Sequence, residues 1–135
     1  MGQAGLILLD THALIWLVSE PAKLSRNAKI AIERARSAGD ELGIVDITLL
    51  ELAGLYGKNR IQLDMSLDAL LDEVQSRFVV RTIVPRACAK TVELPPNYPK
   101  DPADRIIGAT ALVEGIPLIT ADRAIRRSKA IQTIW

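Results

Sequence analysis

Four acidic residues far apart in the chain, Asp10, Glu51, Asp104 and Asp122, stand where a small α/β sheet would bring them together. Asp10 ends the apolar run Leu6-Ile7-Leu8-Leu9, and Asp122 follows Pro117-Leu118-Ile119 by a short step. Ligands of open parallel sheets bind beyond the carboxyl ends of the strands. Acids at two strand ends, joined by acids from helices, would therefore form a concentrated negative pocket. A pair of like charges ~4 Å apart at an effective dielectric of ~20 costs roughly 4 kcal/mol. Either some acids hold protons or a hard divalent cation fills the pocket, and at neutral pH the cation is the more natural reading. The chain has one His and one Cys, so it lacks the Cys/His set of a structural zinc site.

The elements that must position these acids follow from alternating short apolar runs and longer amphipathic stretches. Residues 6–10 read as a buried strand and 11–19 as a helix stopped before Pro21. Ser25 is a candidate N-cap for a helix to about residue 37, with Gly39 beyond its end. Strand 42–45 leads into helix 46–56, with Gly57 as the expected stop; Ser66 caps a helix to about residue 75. Residues 77–84, rich in β-branched side chains, predict a third strand. Helix 85–94 opens on a proline, and Pro95-Pro96-Asn97-Tyr98-Pro99 is a rigid loop. Helix 101–114, strand 117–119, helix 121–128 and strand 131–134 complete the order. The alternation predicts a single domain over residues 1–135, a three-layer α/β/α sandwich around a mostly parallel, about five-stranded sheet.

Composition narrows the classes. With 135 residues, 49% apolar and 24% charged, the chain is the size of one domain with a real core. The apolar excess is aliphatic, as a doubly covered parallel sheet requires. A net charge of +1 implies no partner held by global charge, so any nucleic acid must meet a local patch. Lys23/Arg26/Lys29, Lys58/Arg60 and Arg123/Arg126/Arg127/Lys129 each read best, taken singly, as a solvated helix face; the last stands out because it follows Asp122 directly. Lone Cys88 excludes an intrachain disulfide and reads as a small packed residue; a reducing cytoplasm is the expected location. No run reads as a secretion signal or approaches membrane-spanning length.

The segments Leu8-Leu9-Asp10-Thr11-His12-Ala13-Leu14-Ile15-Trp16-Leu17, Asp101-Pro102-Ala103-Asp104-Arg105-Ile106-Ile107-Gly108-Ala109-Thr110-Ala111 and Leu118-Ile119-Thr120-Ala121-Asp122 together resemble the PIN domain, in particular the VapC-type ribonuclease toxins of toxin–antitoxin pairs. The resemblance runs from about residue 6 to the end of the chain. It places Asp10, Glu51, Asp104 and Asp122 at the family's acidic metal positions, with Thr11, Thr48 and Thr120 as supporting hydroxyls. It implies Mg²⁺- or Mn²⁺-dependent cleavage of RNA, a homodimer and a small antitoxin partner. Arg123, Arg126 and Arg127 are the candidate grips on flanking RNA phosphates.

Local spacing agrees independently. Thr48 and Glu51 are three apart and share a helix face. Asp101 and Asp104 are also three apart, at a helix start that favours negative charge. Asp101, followed by Pro102, has the character of an N-cap, which leaves Asp104 for the metal. Each acid also has a purely structural reading: Asp10 and Asp122 as helix caps, Glu51 on a surface, Asp104 paired with an Arg. His12 is expected beside the site or at its rim, and Trp16 and Leu17 in the core or on a dimer surface. Alternative readings are a receiver-like phosphoacceptor domain, which lacks here the adjacent acidic pair and late lysine it needs, a non-catalytic PIN-like binding module, and a related DNA nuclease.

Overall fold

Short aliphatic strands set the middle layer of the molecule, which a computed structural model describes over residues 5–135. Strands β1 (Leu6–Leu9), β2 (Glu41–Val45), β3 (Val79–Arg81), β4 (Leu118–Ile119) and β5 (Thr133–Ile134) form one sheet in the order β3-β2-β1-β4-β5. Every pairing is parallel, with Leu6 opposite Glu41, Leu8 opposite Leu118 and Gly43 opposite Val79. The helices are α1 (Thr11–Ser19), α2 (Arg26–Ala38), α3 (Ile47–Gly57), α4 (Leu67–Arg77), α5 (Pro85–Thr91), α6 (Pro102–Glu114) and α7 (Arg123–Ser128). A single 3₁₀ turn, Pro21–Lys23, follows α1, because Pro21 cannot extend it.

Alternation along the strands sorts side chains onto two faces. Leu9, Leu42, Ile44 and Ile119 pack with the buried residues of α1–α4. Leu8, Val45 and Leu118 pack with Leu94, Tyr98, Ile107, Ala111 and Ile125. Both faces are covered, and the expected α/β/α sandwich is the one that forms. No helix among the described residues is long and apolar enough to cross a membrane.

Several boundaries differ from the sequence expectation. The third strand keeps only Val79–Arg81 of the expected 77–84. Arg77 ends α4, and Phe78 closes it by donating its N–H to Val74 O while burying its ring. Helix α3 does not stop before Gly57; it includes it, and the left-handed turn falls on Asn59 (φ 55°), a residue type that tolerates that region. Helix α5 ends at Thr91 rather than 94, where Thr91 Oγ1 donates to Cys88 O. Strand β5 is limited to Thr133–Ile134 because β4 offers only Leu118 and Ile119 as partners. Cys88 is exposed, not packed.

Candidate active site

The carboxyl edge of the sheet collects the N-terminal halves of four helices, and each brings an acid. Asp10 follows β1 directly and is the N-cap of α1, its Oδ1 accepting from Ala13 N at 2.9 Å. Adjacent strand β4 exits through Thr120 to Asp122, the N-cap of α7, whose Oδ1 accepts from Ile125 N at 3.0 Å. The register Leu9–Ile119 makes these two exits neighbours, and Asp10 N donates to Ile119 O at 3.2 Å. Capping and convergence therefore coexist. Each aspartate commits one oxygen to its helix and brings the rest of its carboxylate to the shared edge.

Glu51 arrives on the second turn of α3, held by a hydroxyl pair. Thr11 Oγ1 donates to Glu51 Oε1 and lies 3.0 Å from Thr48 Oγ1, which is fully buried. Thr120 is also fully buried; its hydroxyl accepts from Asp122 N at 3.1 Å and lies beside the Asp10 carboxylate. The three threonines thus form two small frames, one under Glu51 and one between Asp10 and Asp122.

Asp104 stands in the first turn of α6. Asp101 caps that helix through Oδ2, which accepts from Asp104 N at 3.0 Å, as its position before Pro102 predicts. Arg105 does not pair with Asp104; its Nη1 donates to Thr91 O at 2.8 Å. No ion pair among the described residues engages any of the four acids. Burial, then the charges of Asp101, Asp122, Glu51 and Asp10, push the Asp104 carboxyl up to about 7. Burial likewise raises Asp10, while the Thr120 hydroxyl and the Ala13 N–H work in the opposite sense. That Asp104 feels the charges of Asp10, Glu51 and Asp122, and Asp10 that of Asp122, is the signature of carboxylates sharing one region.

Among the described residues no three His, Cys, Asp or Glu side chains close on one point tightly enough to hold an ion by themselves. Mg²⁺ does not require that closure, since it takes one or two carboxylates and keeps several waters. The donor set is all oxygen, and the Asp104 carboxylate accepts no hydrogen bond from the protein among the described residues. These residues fit a hard divalent ion and suit zinc poorly.

Around this edge, Arg123, Arg126, Arg127 and Lys129 line a cleft of about 460 Å³ on α7. All four are exposed, and none pairs with an acid among the described residues. His12 is exposed, 6.1 Å from the Trp16 ring, which in turn stands 5.7 Å from Trp135. His12 is thus a rim residue, and Trp16 and Leu17 are half-buried against the core of α1–α4. Sequence reading missed Tyr98, fully buried inside the proline-rich loop, with its hydroxyl donating to Asp104 O at 2.8 Å. The only signal for it was an aromatic residue amid prolines.

Comparison with known proteins places this arrangement. The PIN domain family model matches residues 7–130. Ribonuclease VapC22 of Mycobacterium tuberculosis is 40% identical over 131 residues, covering 96% of this chain and 98% of the relative. A toxin–antitoxin complex from Klebsiella pneumoniae superposes with a TM-score of 0.63 at 25% identity, covering 93% of this chain and 94% of that one. VapBC-1 from nontypeable Haemophilus influenzae has a TM-score of 0.71 at 22% identity, covering 95% and 96%; that likeness is one of fold.

Proposed function

The chain belongs to the PIN domain family, and from that premise we propose that it is a VapC-type toxin ribonuclease that hydrolyses RNA phosphodiester bonds at the carboxyl edge of its sheet. The observation that carries the reading is the convergence of Asp10, Glu51, Asp104 and Asp122 on one acidic region fed by four separate helices. Burial, with the neighbouring acids adding to it, raises the Asp104 carboxyl to about 7, and a cation would offset both costs.

In this reading Asp10 and Asp104 hold the principal Mg²⁺ or Mn²⁺, directly or through waters, and Glu51 and Asp122 hold further waters or help to recruit a second ion. When bound, the metal supplies Lewis-acid chemistry, acidifying a water and offsetting charge on the phosphate. Thr11 and Thr48 fix the Glu51 carboxylate, and Thr120 fixes Asp10 relative to Asp122. Arg123, Arg126 and Arg127 grip phosphates flanking the cut, which offsets the repulsion between an acidic pocket and RNA. Water attack at phosphorus leaves a 5′-phosphate and a 3′-hydroxyl, with no part for the ribose 2′-hydroxyl. The partner is a small antitoxin whose Arg or Lys enters the carboxylate cluster, the toxin acts as a homodimer, and the setting is the cytoplasm.

Asp10→Asn or Asp104→Asn is expected to abolish Mg²⁺-dependent RNA cleavage in a chain that still folds, and EDTA to silence the wild type. Cleavage that persists in either variant, or undiminished in EDTA, removes the mechanism.

A further inference from the structure

Tyr98 is the one fully buried tyrosine hydroxyl near the acids, and its role extends beyond filling space. The side chain is 1% exposed and packs among Leu94, Ile107, Leu118 and Ile125. Leu94 precedes Tyr98 in the same connection after α5, whereas Ile107, Leu118 and Ile125 come from α6, β4 and α7, the elements that carry or lead to Asp104 and Asp122. The ring therefore shares one buried cluster with the two helices that bring those acids to the edge of the sheet. Its own loop is stiffened by Pro95, Pro96 and Pro99, and Tyr98 N donates to Pro95 O at 2.9 Å.

The hydroxyl ends on the backbone of Asp104 itself, donating to its carbonyl oxygen at 2.8 Å. In an α-helix that carbonyl also accepts the N–H four residues on, which here belongs to Gly108. Gly108 is what lets the phenol reach it. A Cβ on Gly108 would lie 2.7 Å from Tyr98 Cζ and would overlap the hydroxyl oxygen. Gly108 has an ordinary helical backbone, so in a helix interior its glycine costs about 1 kcal/mol relative to alanine. The close approach is the feature of the structure that requires it.

Resting on the reading of the acidic edge as a metal site, we propose that Tyr98 and Gly108 form a hydroxyl-in-notch lock that positions Asp104 for metal binding. Tyr98 touches neither metal nor RNA; it is a positioning residue acting through the first turn of α6. The lock sets both the height of that turn above the sheet and its distance from α7. Burial, followed by the charges of Asp104, Asp122 and Asp10, keeps the phenol protonated far above neutrality, so the donor is present at every working pH.

The test is Mn²⁺ binding to RNA-free protein, followed by electron paramagnetic resonance of the free ion, together with thermal unfolding. Tyr98→Phe keeps the ring and deletes the donor. It is expected to weaken Mn²⁺ binding about tenfold, the scale of lost outer-shell support, and to lower kcat with little change in KM for RNA. Gly108→Ala is expected to shift the Mn²⁺ curve in the same direction, because its methyl evicts the hydroxyl, and it serves where Tyr98→Phe does not fold. Leu94→Ala removes packing from the same cluster but keeps the hydroxyl, so it should lower the melting temperature and leave the Mn²⁺ curve in place. If Tyr98→Phe or Gly108→Ala only lowers the melting temperature, as Leu94→Ala does, the lock is ordinary packing and the proposal is wrong. Asp10→Asn separates the two levels. If Asp10→Asn weakens Mn²⁺ binding and Tyr98→Phe does not, the lock alone fails. If Asp10→Asn has no effect either, the metal-site reading and the lock fall together.

Discussion

On the face of the sheet covered by α1–α4, Leu9, Ile44 and Ile119 meet a deep layer of aliphatic side chains that includes Leu14, Ile32, Leu52, Leu70 and Val74. On the other face, Leu8, Val45 and Leu118 meet α6 and α7 through fewer residues, with Ala111, Ile107 and Ile125 around a central tyrosine. Each face delivers two of the acids: Asp10 and Glu51 come with α1 and α3, Asp104 and Asp122 with α6 and α7. The first pair is held by side-chain hydroxyls of Thr11, Thr48 and Thr120 close to the carboxylates. Asp104 has no such hydroxyl and depends on where its helix sits. Stability and site geometry are thus separable on the thick face, whereas on the thin one they meet at Tyr98, whose ring packs the core and whose hydroxyl ends on Asp104 O.

The largest expected effect tests that separation directly. Leu70 is 2% exposed on α4, which carries none of the acids. Leu70→Ala should cost about 3 kcal/mol through lost transfer energy and the cavity left behind. Urea denaturation reads the loss. Mn²⁺ binding measured where the variant is still folded should match the wild type; a shifted binding curve would mean that both faces tune the site and would dissolve the contrast.

The next effect is electrostatic and centres on Asp104, the acid of the thin face. Its folded-state carboxyl is raised to about 7 from an ordinary 3.8, burial being the main cause. A carboxyl raised on folding binds protons more readily in the folded chain, so stability falls as pH rises through the window between those values. Asp10, also raised by burial, acts in the same direction. Asp104 is half-buried and partly screened by water, so the fall is expected to be of order 1 kcal/mol, roughly 4 °C in Tm for a domain of this size. In EDTA the chain should therefore melt higher at the acid end of the window than at its neutral end. Asp104→Asn should flatten the profile, and Mg²⁺ should raise Tm most on the neutral side. A melting temperature that climbs steadily from the acid to the neutral end would contradict the raised carboxyls.

How much of this was legible in the sequence follows the same division. The thick face announced itself by helical periodicity and by caps: Ser25 and Ser66 accept from Ala28 N and Ala69 N as their positions predict. The acids were legible because Asp10 and Asp122 adjoin apolar runs and Asp104 lies in a recognisable helix start. The caps at Asp10 and Asp122, weighed as rivals to a site, do form, each through one carboxylate oxygen. What spacing could not reveal was anything set by an approach across the fold. Tyr98 and Gly108 are ten residues apart and joined through a proline-rich loop with no periodicity. Strand β3 was overextended because β-branched residues at 82–84 have no partner strand left to pair with. Asn59, not Gly57, took the left-handed turn, a choice made by where α3 meets its following loop.

The smallest expected effect asks whether the thin face also holds the substrate. Arg126 and Arg127 sit on α7 in a cleft shared with Arg123 and Lys129, one turn beyond Asp122. The thick face carries cations too, at Lys23, Arg26 and Lys29, but Lys23 is drawn into a pair with Glu20 at 3.1 Å. If α7 grips phosphates, Arg126→Ala with Arg127→Ala in an Asp104→Asn background should weaken RNA binding roughly threefold, ~0.7 kcal/mol. The slope of log affinity against log salt should flatten by about 1.4, the value for two single-strand phosphate contacts. Arg26→Ala with Lys29→Ala removes the same charge from the other face and should leave that slope unchanged. Equal slopes for the two double variants would mean that RNA responds only to total charge, and the cleft beside Asp122 would lose its role.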